Sequence, residues 1–302
     1  MSIGALPLLL VGAASVSASG GDLSRKLLSR HLRPLPMIFL LTSASALLFA
    51  LVVALGGGAH GTPAYFAPAT GSLLLNIAAQ LAFVESVRIA PFSLTVPLLS
   101  LTPAFTTVLG FLVLRERPAP IAWLGVALVV AGAFWLHLGA GGGTMAAGSG
   151  DDEPERGRFA ALLAHPGAWL MALTAFLWSL AIPLDKLAMA RASAPFHGLF
   201  LTTGGALGTF AILAARRRLP EVRGIHTAWA PFVGALLGST LELGFQLTAV
   251  RILLVSVVET LKRGLGNLLA VALGRLVFGE PLTWRKLAAA VLMAAGVALI
   301  LL

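Results

Sequence analysis

Three charged residues at helical spacing lie inside an apolar segment near the end of the chain. Glu259, Lys262 and Arg263 follow one another at intervals of three and one, so a helix places them on one face, where the carboxylate can pair with both bases. If this segment crosses a bilayer, each charge costs roughly 3 kcal/mol or more unless it finds a partner or a wet cavity. The pattern favours a binding or coupling site with net positive charge. The alternatives are a self-satisfied ion cluster that locks helices together and a position near the membrane surface.

Two further segments carry a stripe of polar residues along one helical face. The stripes are Ser72, Asn76 and Gln80 in one segment, and Ser239, Glu242 and Gln246 in the other. Since unpaired polar faces should not meet lipid, we expect both stripes to line one central cavity. Hydrogen bonding between helices without a ligand is the alternative. Trp178 has two interpretations, stacking on a substrate and anchoring a helix at the interface.

Other polar residues have simpler interpretations. Asp185 and Lys186 are expected to lie near a helix end and extend to the lipid headgroups. His197 is expected to be a loop or interface residue, and Glu116 and Glu280 to lie at helix junctions, where capping and lipid contact explain them. The sequence contains no HExxH, no Gly-x-Ser-x-Gly, no phosphate loop ending in GK[ST], and no cysteine. We therefore expect no enzyme, no cofactor and no metal site.

The composition is that of a membrane protein. Hydrophobic residues make up 58% of the chain and charged residues 11%, whereas a soluble domain carries roughly 25% charged residues. The net charge of +9 comes mostly from Lys and Arg in short segments between apolar runs, which is typical of loops near anionic lipid headgroups. Nucleic acid is therefore not an expected partner.

Roughly ten segments approach the 20 or so apolar residues that a spanning helix needs. They are 3 to 19, 36 to 57, 66 to 86, 90 to 114, 119 to 138, 167 to 187, 195 to 215, 227 to 249, 252 to 278 and 283 to 302. The first also fits a signal peptide, although no Lys or Arg precedes its apolar run. The sequence predicts an all-α polytopic membrane protein.

Residues 71 to 136 and 234 to 300 are similar to each other. Gly71 aligns with Gly234, and, after one inserted residue, Gly132 aligns with Gly296. We expect a first repeat at 1–138, a flexible acidic and glycine-rich linker at 139–166, and a second repeat at 167–302. Because each repeat has an odd number of helices, five, the second must enter the membrane in the opposite orientation.

The sequence resembles the EamA branch of the drug/metabolite transporter superfamily over nearly its whole length. The residues that carry the resemblance are Pro97, Ser100, Thr102 to Phe105, Leu114 to Arg117, Gly125 and Gly132, and in the second half Phe278 to Glu280 and Gly296. The resemblance implies ten helices in two inverted five-helix repeats around a central cavity, and export or exchange of small metabolites. It also implies cytoplasmic termini, whereas the distribution of Lys and Arg places both termini outside, so the orientation stays open.

We therefore expect a secondary transporter in the cytoplasmic (inner) membrane of a bacterium, which moves a small polar metabolite by alternating access. Its site residues are expected to be Asn76, Gln80, Trp178, Ser239, Glu242, Gln246, Glu259, Lys262 and Arg263. Without an ATP-binding motif, transport must be driven by the substrate gradient, by exchange or by a coupled proton. A flippase for a lipid or lipid-linked precursor is the first alternative, and a non-transporting membrane scaffold or receptor is the second.

Overall fold

The computed structural model describes residues 5–56, 61–89, 96–140, 166–278 and 283–301. Within these residues the chain forms ten α-helices and no strand, so the prediction of an all-α protein is confirmed. The helices are α1 (Ala5–Leu28), α2 (Pro34–Gly56), α3 (Pro63–Ile89), α4 (Thr102–Leu114), α5 (Pro120–Ala140), α6 (Pro166–Met189), α7 (Ala194–Ala215), α8 (Trp229–Ile252), α9 (Val255–Phe278) and α10 (Trp284–Leu301). The expected linker lies almost wholly outside the described residues.

Seven of these helices are long and apolar enough to cross a membrane, namely α1, α2, α3, α6, α7, α8 and α10. The other three differ for identifiable reasons. α4 and α5 contain shorter apolar stretches, and a 3-10 helix at Val96–Leu101 precedes α4, where a single long helix was expected. α9 has 24 residues but carries Glu259, Lys262 and Arg263 close together.

The outer surface of the helices is apolar. Leucines such as Leu47, Leu55 and Leu276 are mostly exposed, and many other large apolar side chains of the spanning helices are exposed as well. A water-soluble protein rarely exposes so many large apolar side chains, whereas helices that face lipid must do so. Burial is instead concentrated between the helices, where small and polar residues are common.

The helices with the most extensive mutual contacts are α3 with α6, α1 with α8, α5 with α10 and α2 with α7. If α1 to α5 are taken in order as the equivalents of α6 to α10, the pair α3 with α6 is equivalent to the pair α8 with α1. The last two pairs each join a helix to its own equivalent. The contact pattern therefore has the form that a two-fold relation between the halves produces.

The two pairs of equivalent helices run antiparallel. On α2 and α7, Phe39 contacts Phe210 with ring centroids 5.9 Å apart. Phe49, ten residues later on α2, packs against Gly198, which comes earlier on α7. The contacts of α5 with α10 follow the same order, because Gly125 meets Gly296 and the later Gly132 meets the earlier Ala289.

Candidate functional site

α8 and α9 bring Glu242, Gln246, Glu259, Lys262 and Arg263 together, and we call these five residues the charged cluster. Lys262 Nζ donates a hydrogen bond to Gln246 Oε1 over 2.7 Å. The same ammonium lies 3.4 Å from Glu259 Oε2 and 3.7 Å from Glu242 Oε1. Arg263 Nε donates to Glu259 Oε1 over 3.1 Å. Lys262 is thus the shared partner of two carboxylates on two different helices.

The charged cluster has no formal net charge, since two carboxylates face two bases. The sequence predicted a net positive group because it did not place Glu242 with the residues of α9. Glu259 is only 2% exposed, and its Oε2 atom has no hydrogen-bond partner although Lys262 lies at ion-pair distance. Mutual neutralisation is what allows such charges to lie between helices of low polarity.

The other four residues of the predicted site have contacts elsewhere. Ser239 accepts a hydrogen bond from Arg25 Nη2 over 2.7 Å, near the end of α1. Asn76 Nδ2 donates to the backbone carbonyl of Ser72. Gln80 lines a small, mostly apolar pocket between α2, α3 and α7, and the ring of Trp178 packs on that of Phe83 with centroids 5.9 Å apart. The structure therefore brings together five of the nine predicted residues.

A second group of polar residues lies between α3, α6 and α7, and we call it the buried polar chain. It consists of Tyr65, Ser72, Asp185 and His197. The Tyr65 hydroxyl lies 2.9 Å from His197 Nδ1, and His197 Nε2 lies 2.9 Å from Asp185 Oδ1. Ser72 Oγ donates to the same Asp185 oxygen. All four residues are buried.

This arrangement corrects two predictions. Asp185 does not extend to the headgroups, because α3 and α7 cover the end of α6 and supply its hydrogen bonds. His197 is not a loop or interface residue but is fully buried in the first turn of α7. The sequence did contain a signal for the contact between Asp185 and His197. Asp185 lies four residues before the end of α6 and His197 three residues after the start of α7, so the short turn between the helices places both at similar depth.

Glu116 connects the end of α4 to the start of α9. Its Oε2 accepts a hydrogen bond from the backbone N–H of Val255 over 2.9 Å, and its Oε1 lies 2.7 Å from Lys186 Nζ. Lys186 also donates to the backbone carbonyl of Leu253. A carboxylate at a helix N-terminus satisfies a free N–H group and complements the helix dipole. The capping role predicted for Glu116 is confirmed, whereas the prediction that Lys186 extends to the headgroups is wrong. Glu280 lies outside the described residues.

The backbone around Glu116 permits this close approach. α4 ends at Leu114, and Arg115 takes a left-handed conformation with φ of 55°. Gly110, one turn earlier, faces Val255 so closely that an added Cβ atom would be 2.7 Å from Val255 Cγ2 and 3.3 Å from Glu116 Oε2. A larger side chain at position 110 would therefore separate the two helix ends.

Comparison with known proteins finds a structure of similar fold and a family that matches the sequence. A solved crystal structure is similar to this chain with a TM-score of 0.74 and 17% sequence identity, covering 97% of each chain. At that identity the match shows a shared fold. A comparison with curated proteins finds no significant match. The EamA-like transporter family matches at residues 5–138 and again at 165–302, which together make up most of the chain. This apolar, all-helical chain is an integral membrane protein and belongs to the EamA-like transporter family.

Proposed function

We propose that this protein is a secondary transporter, an exporter or exchanger, that moves a small polar metabolite by alternating access. Family membership supports a transport function. The observation that carries the proposal is the charged cluster, in which Glu259, Lys262 and Arg263 lie among apolar helices together with Glu242. Ionisable groups at such positions are costly and are found where substrates or ions pass.

The proposed architecture consists of two inverted five-helix repeats. Its support is the antiparallel packing of α2 on α7 and of α5 on α10, which are equivalent helices of the two halves. Equivalent helices that run in opposite directions are expected when one repeat enters the membrane upside down. In transporters built this way the two halves rock about a site between them, so each side of the membrane gains access in turn.

Arg263 is the residue of the charged cluster best placed to meet a substrate. It contacts Glu259 through Nε, so both terminal Nη groups are without a partner among the described residues. Its side chain is also the most exposed of the four charged residues in the cluster, at 29%. A guanidinium with two free amino groups binds a carboxylate or phosphate group through paired hydrogen bonds. We propose that Arg263 and Lys262 bind an anionic group of the metabolite, while Glu242 and Gln246 bind its other polar groups.

The remaining predicted residues have supporting roles in this proposal. Asn76 and Gln80 on α3 and Ser239 on α8 belong to equivalent helices, and Trp178 on α6 packs beside α3 through Phe83. When the halves move, we propose that these polar and aromatic side chains line the path that the substrate takes to and from the charged cluster. A proton is the proposed coupling ion.

A ligand screen followed by a transport assay tests the proposal. Purified protein is heated with amino acids, nucleosides, sugars, inorganic cations and polyprenyl phosphates in turn, and a ligand is recognised by a raised melting temperature. Counterflow of the radiolabelled ligand into proteoliposomes then measures transport. We expect a water-soluble anionic or zwitterionic compound to stabilise the protein and to be transported.

Matched arginine variants show whether the charged cluster is the site. R263Q should abolish stabilisation and counterflow, and R251Q, which changes an exposed arginine at the end of α8, should leave both intact. Stabilisation by polyprenyl phosphates alone would favour the flippase alternative. Stabilisation by no compound, together with normal folding and no counterflow, would favour a scaffold or receptor.

A further inference from the structure

The buried polar chain has a chemistry that the charged cluster does not have. We infer that Tyr65, His197, Asp185 and Ser72 form a site that binds and releases one proton, with Asp185 as the group through which the proton enters. The inference deepens the proposed function, on which it rests, because it identifies the coupling ion and the place where that ion binds.

Asp185 is a buried carboxylate whose hydrogen bonds are made by one oxygen. Oδ1 accepts from Ser72 and contacts His197 Nε2, while Oδ2 has no partner among the described residues. The Asp185 side chain is 10% exposed, whereas Ser72, Tyr65 and His197 are 0% exposed. Asp185 is therefore the most exposed member of the buried polar chain, and we place the entry of the proton there.

No fixed cation neutralises Asp185 among the described residues. Lys186, the next residue along α6, is directed to Glu116 at the junction with α9, and Arg191 is exposed and donates to a backbone carbonyl of its own helix end. From α3 the titratable group in contact is Tyr65, and α2 and α4 carry no ionisable side chain. Among the side chains that the structure describes, no ion pair joins Asp185 or His197 to α8 or α9. The negative charge of the Asp185 carboxylate is therefore balanced only when the buried polar chain holds the extra proton.

The hydrogen bonds are satisfied in both protonation states. Without the extra proton, His197 is neutral, donates from Nε2 to the Asp185 carboxylate and accepts at Nδ1 from the Tyr65 hydroxyl. With the proton, Asp185 is neutral and carries it on Oδ2, while His197 still donates from Nε2 to Oδ1 and the Tyr65 hydroxyl still donates to Nδ1. A protonated carboxyl group keeps an acceptor oxygen, so the bonds to Oδ1 persist and no buried group loses its partner. The two states differ by one proton and by one unit of charge.

Aromatic rings close the Tyr65 end of the buried polar chain. Phe66, Phe196 and Phe200 contact the Tyr65 ring edge to face, with centroids 5.2 to 5.7 Å apart. These rings exclude water from the hydroxyl and from His197 Nδ1. A site with one closed end and one accessible end holds a proton while the accessible end is shut and exchanges it when that end opens, which is the property that coupling requires.

The position of Asp185 connects the proton to the charged cluster. Its neighbour Lys186 pairs with Glu116, which caps α9 at Val255, and Glu259 follows about 6 Å further along that helix at 1.5 Å per residue. A movement of the end of α6 on proton binding therefore changes contacts at the start of the helix that carries Glu259. The coupling passes through residues that are in direct contact at each step.

An NMR titration in the absence of substrate measures proton binding directly. Protein labelled with ¹⁵N in histidine is titrated in lipid nanodiscs, and the His197 signal is recognised among the six histidines by its loss in H197N. We expect the His197 Nε2 signal to shift as Asp185, which accepts its hydrogen bond, takes up the proton while the protein is folded. In D185N this pH-dependent shift should be absent. D22N is the matched control, because Asp22 is an exposed aspartate paired with Arg25, and it should leave the His197 transition unchanged.

Two results would overturn the inference. One is a His197 signal that is the same at every pH at which the protein is folded, since that result describes a fixed structural contact. The other is an unaltered transition in D185N. If D185N does not fold, S72A keeps the carboxylate and removes its hydrogen bond, and an unchanged midpoint there has the same meaning, because a shift of about half a pH unit or more is expected. A normal titration in a protein that transports no substrate would retain the proton site and remove the proposed function.

Discussion

Gly125 of α5 and Gly296 of α10 approach so closely that a Cβ atom added to either residue would lie 2.7 Å from the carbonyl oxygen of the other. Seven residues away on α5, a Cβ atom on Gly132 would lie 3.0 Å from the carbonyl oxygen of Ala289. The alignment of the repeats places Gly125 over Ala289 and Gly132 over Gly296, so the two contacts are equivalents of each other. Small residues at such crossings allow helix backbones to meet without a hydrophobic driving force.

We predict that G125A and G296A each lower the free energy of unfolding by about 1 to 3 kcal/mol, because the added methyl group meets backbone that cannot move aside cheaply. G266A is the matched control. It introduces the same change within α9, where no described atom beyond the helix's own backbone lies within 4 Å of the added carbon, and its helix propensity should stabilise by up to about 1 kcal/mol. Unfolding in detergent, followed by circular dichroism, measures all three. Equal stability of G125A and G266A would contradict the close crossing.

The proposed inverted arrangement predicts on which sides of the membrane two equivalent helix ends lie. Arg30 follows α1 and Arg191 follows α6, which are equivalent helices, and both side chains are exposed. The chain has no cysteine, so single cysteines at these two positions report without competing thiols. In intact cells a membrane-impermeant maleimide should label one of R30C and R191C, and the other only after lysis. Labelling of both from outside, or of neither, would mean that the halves have the same orientation.

The apolar segments predicted most helices well, because the bilayer requires about 20 apolar residues whatever the helix packs against. The contacts within the trio Glu259, Lys262 and Arg263 were also predictable, since residues three and four apart on a helix are neighbours. The pairing of Lys262 with Glu242 was not, because a sequence gives the face of a residue but not the helix that this face meets.

The buried polar chain was missed for a related reason. Tyr65, Ser72, Asp185 and His197 lie on three helices, and each of them alone has an ordinary explanation near a helix end. Hydropathy averaged over a segment places Asp185 near the membrane surface. The tertiary contacts of α3 with α6 and α7 decide that it is buried instead.

We predict that E116Q lowers the free energy of unfolding by about 3 to 5 kcal/mol, because it leaves the ammonium of Lys186 without its charged partner in a mostly buried place. E221Q is the control. Glu221 pairs with Arg33 and Arg218 in the 3-10 helix Leu219–Thr227, where its side chain is 26% exposed against 8% for Glu116, so its pairs contribute less. The double variant E116Q/K186M should recover part of the loss, since no charge is left unpaired. A stability of E116Q equal to that of E221Q would show that the Glu116 contacts are not important for the fold.

Lys262 lies between two carboxylates, 3.4 Å from Glu259 and 3.7 Å from Glu242, and this position leads to the last prediction. We predict that the charged cluster rearranges during transport, with Lys262 moving between its partners, and does not act as a fixed strut. E259Q removes a charge with little change of volume. If the cluster is a switch, counterflow should lose its dependence on pH or on substrate charge, while the protein folds and keeps a similar melting temperature.

The competing behaviour has a different signature. If the charged cluster is a fixed structural contact, E259Q leaves Lys262 and Arg263 with a single carboxylate. The free energy of unfolding should then fall by about 3 to 5 kcal/mol. E242Q provides the comparison, because Glu242 is more exposed than Glu259 and contacts Lys262 at a longer distance, so a strut should tolerate its loss better. Counterflow at several pH values and melting temperatures, measured on the same preparations, separate the two mechanisms. An E259Q protein that transports as the wild type does at every pH, or one that fails to fold while E242Q folds, would exclude the switch, since a switch requires that both carboxylates change partners without being needed for folding.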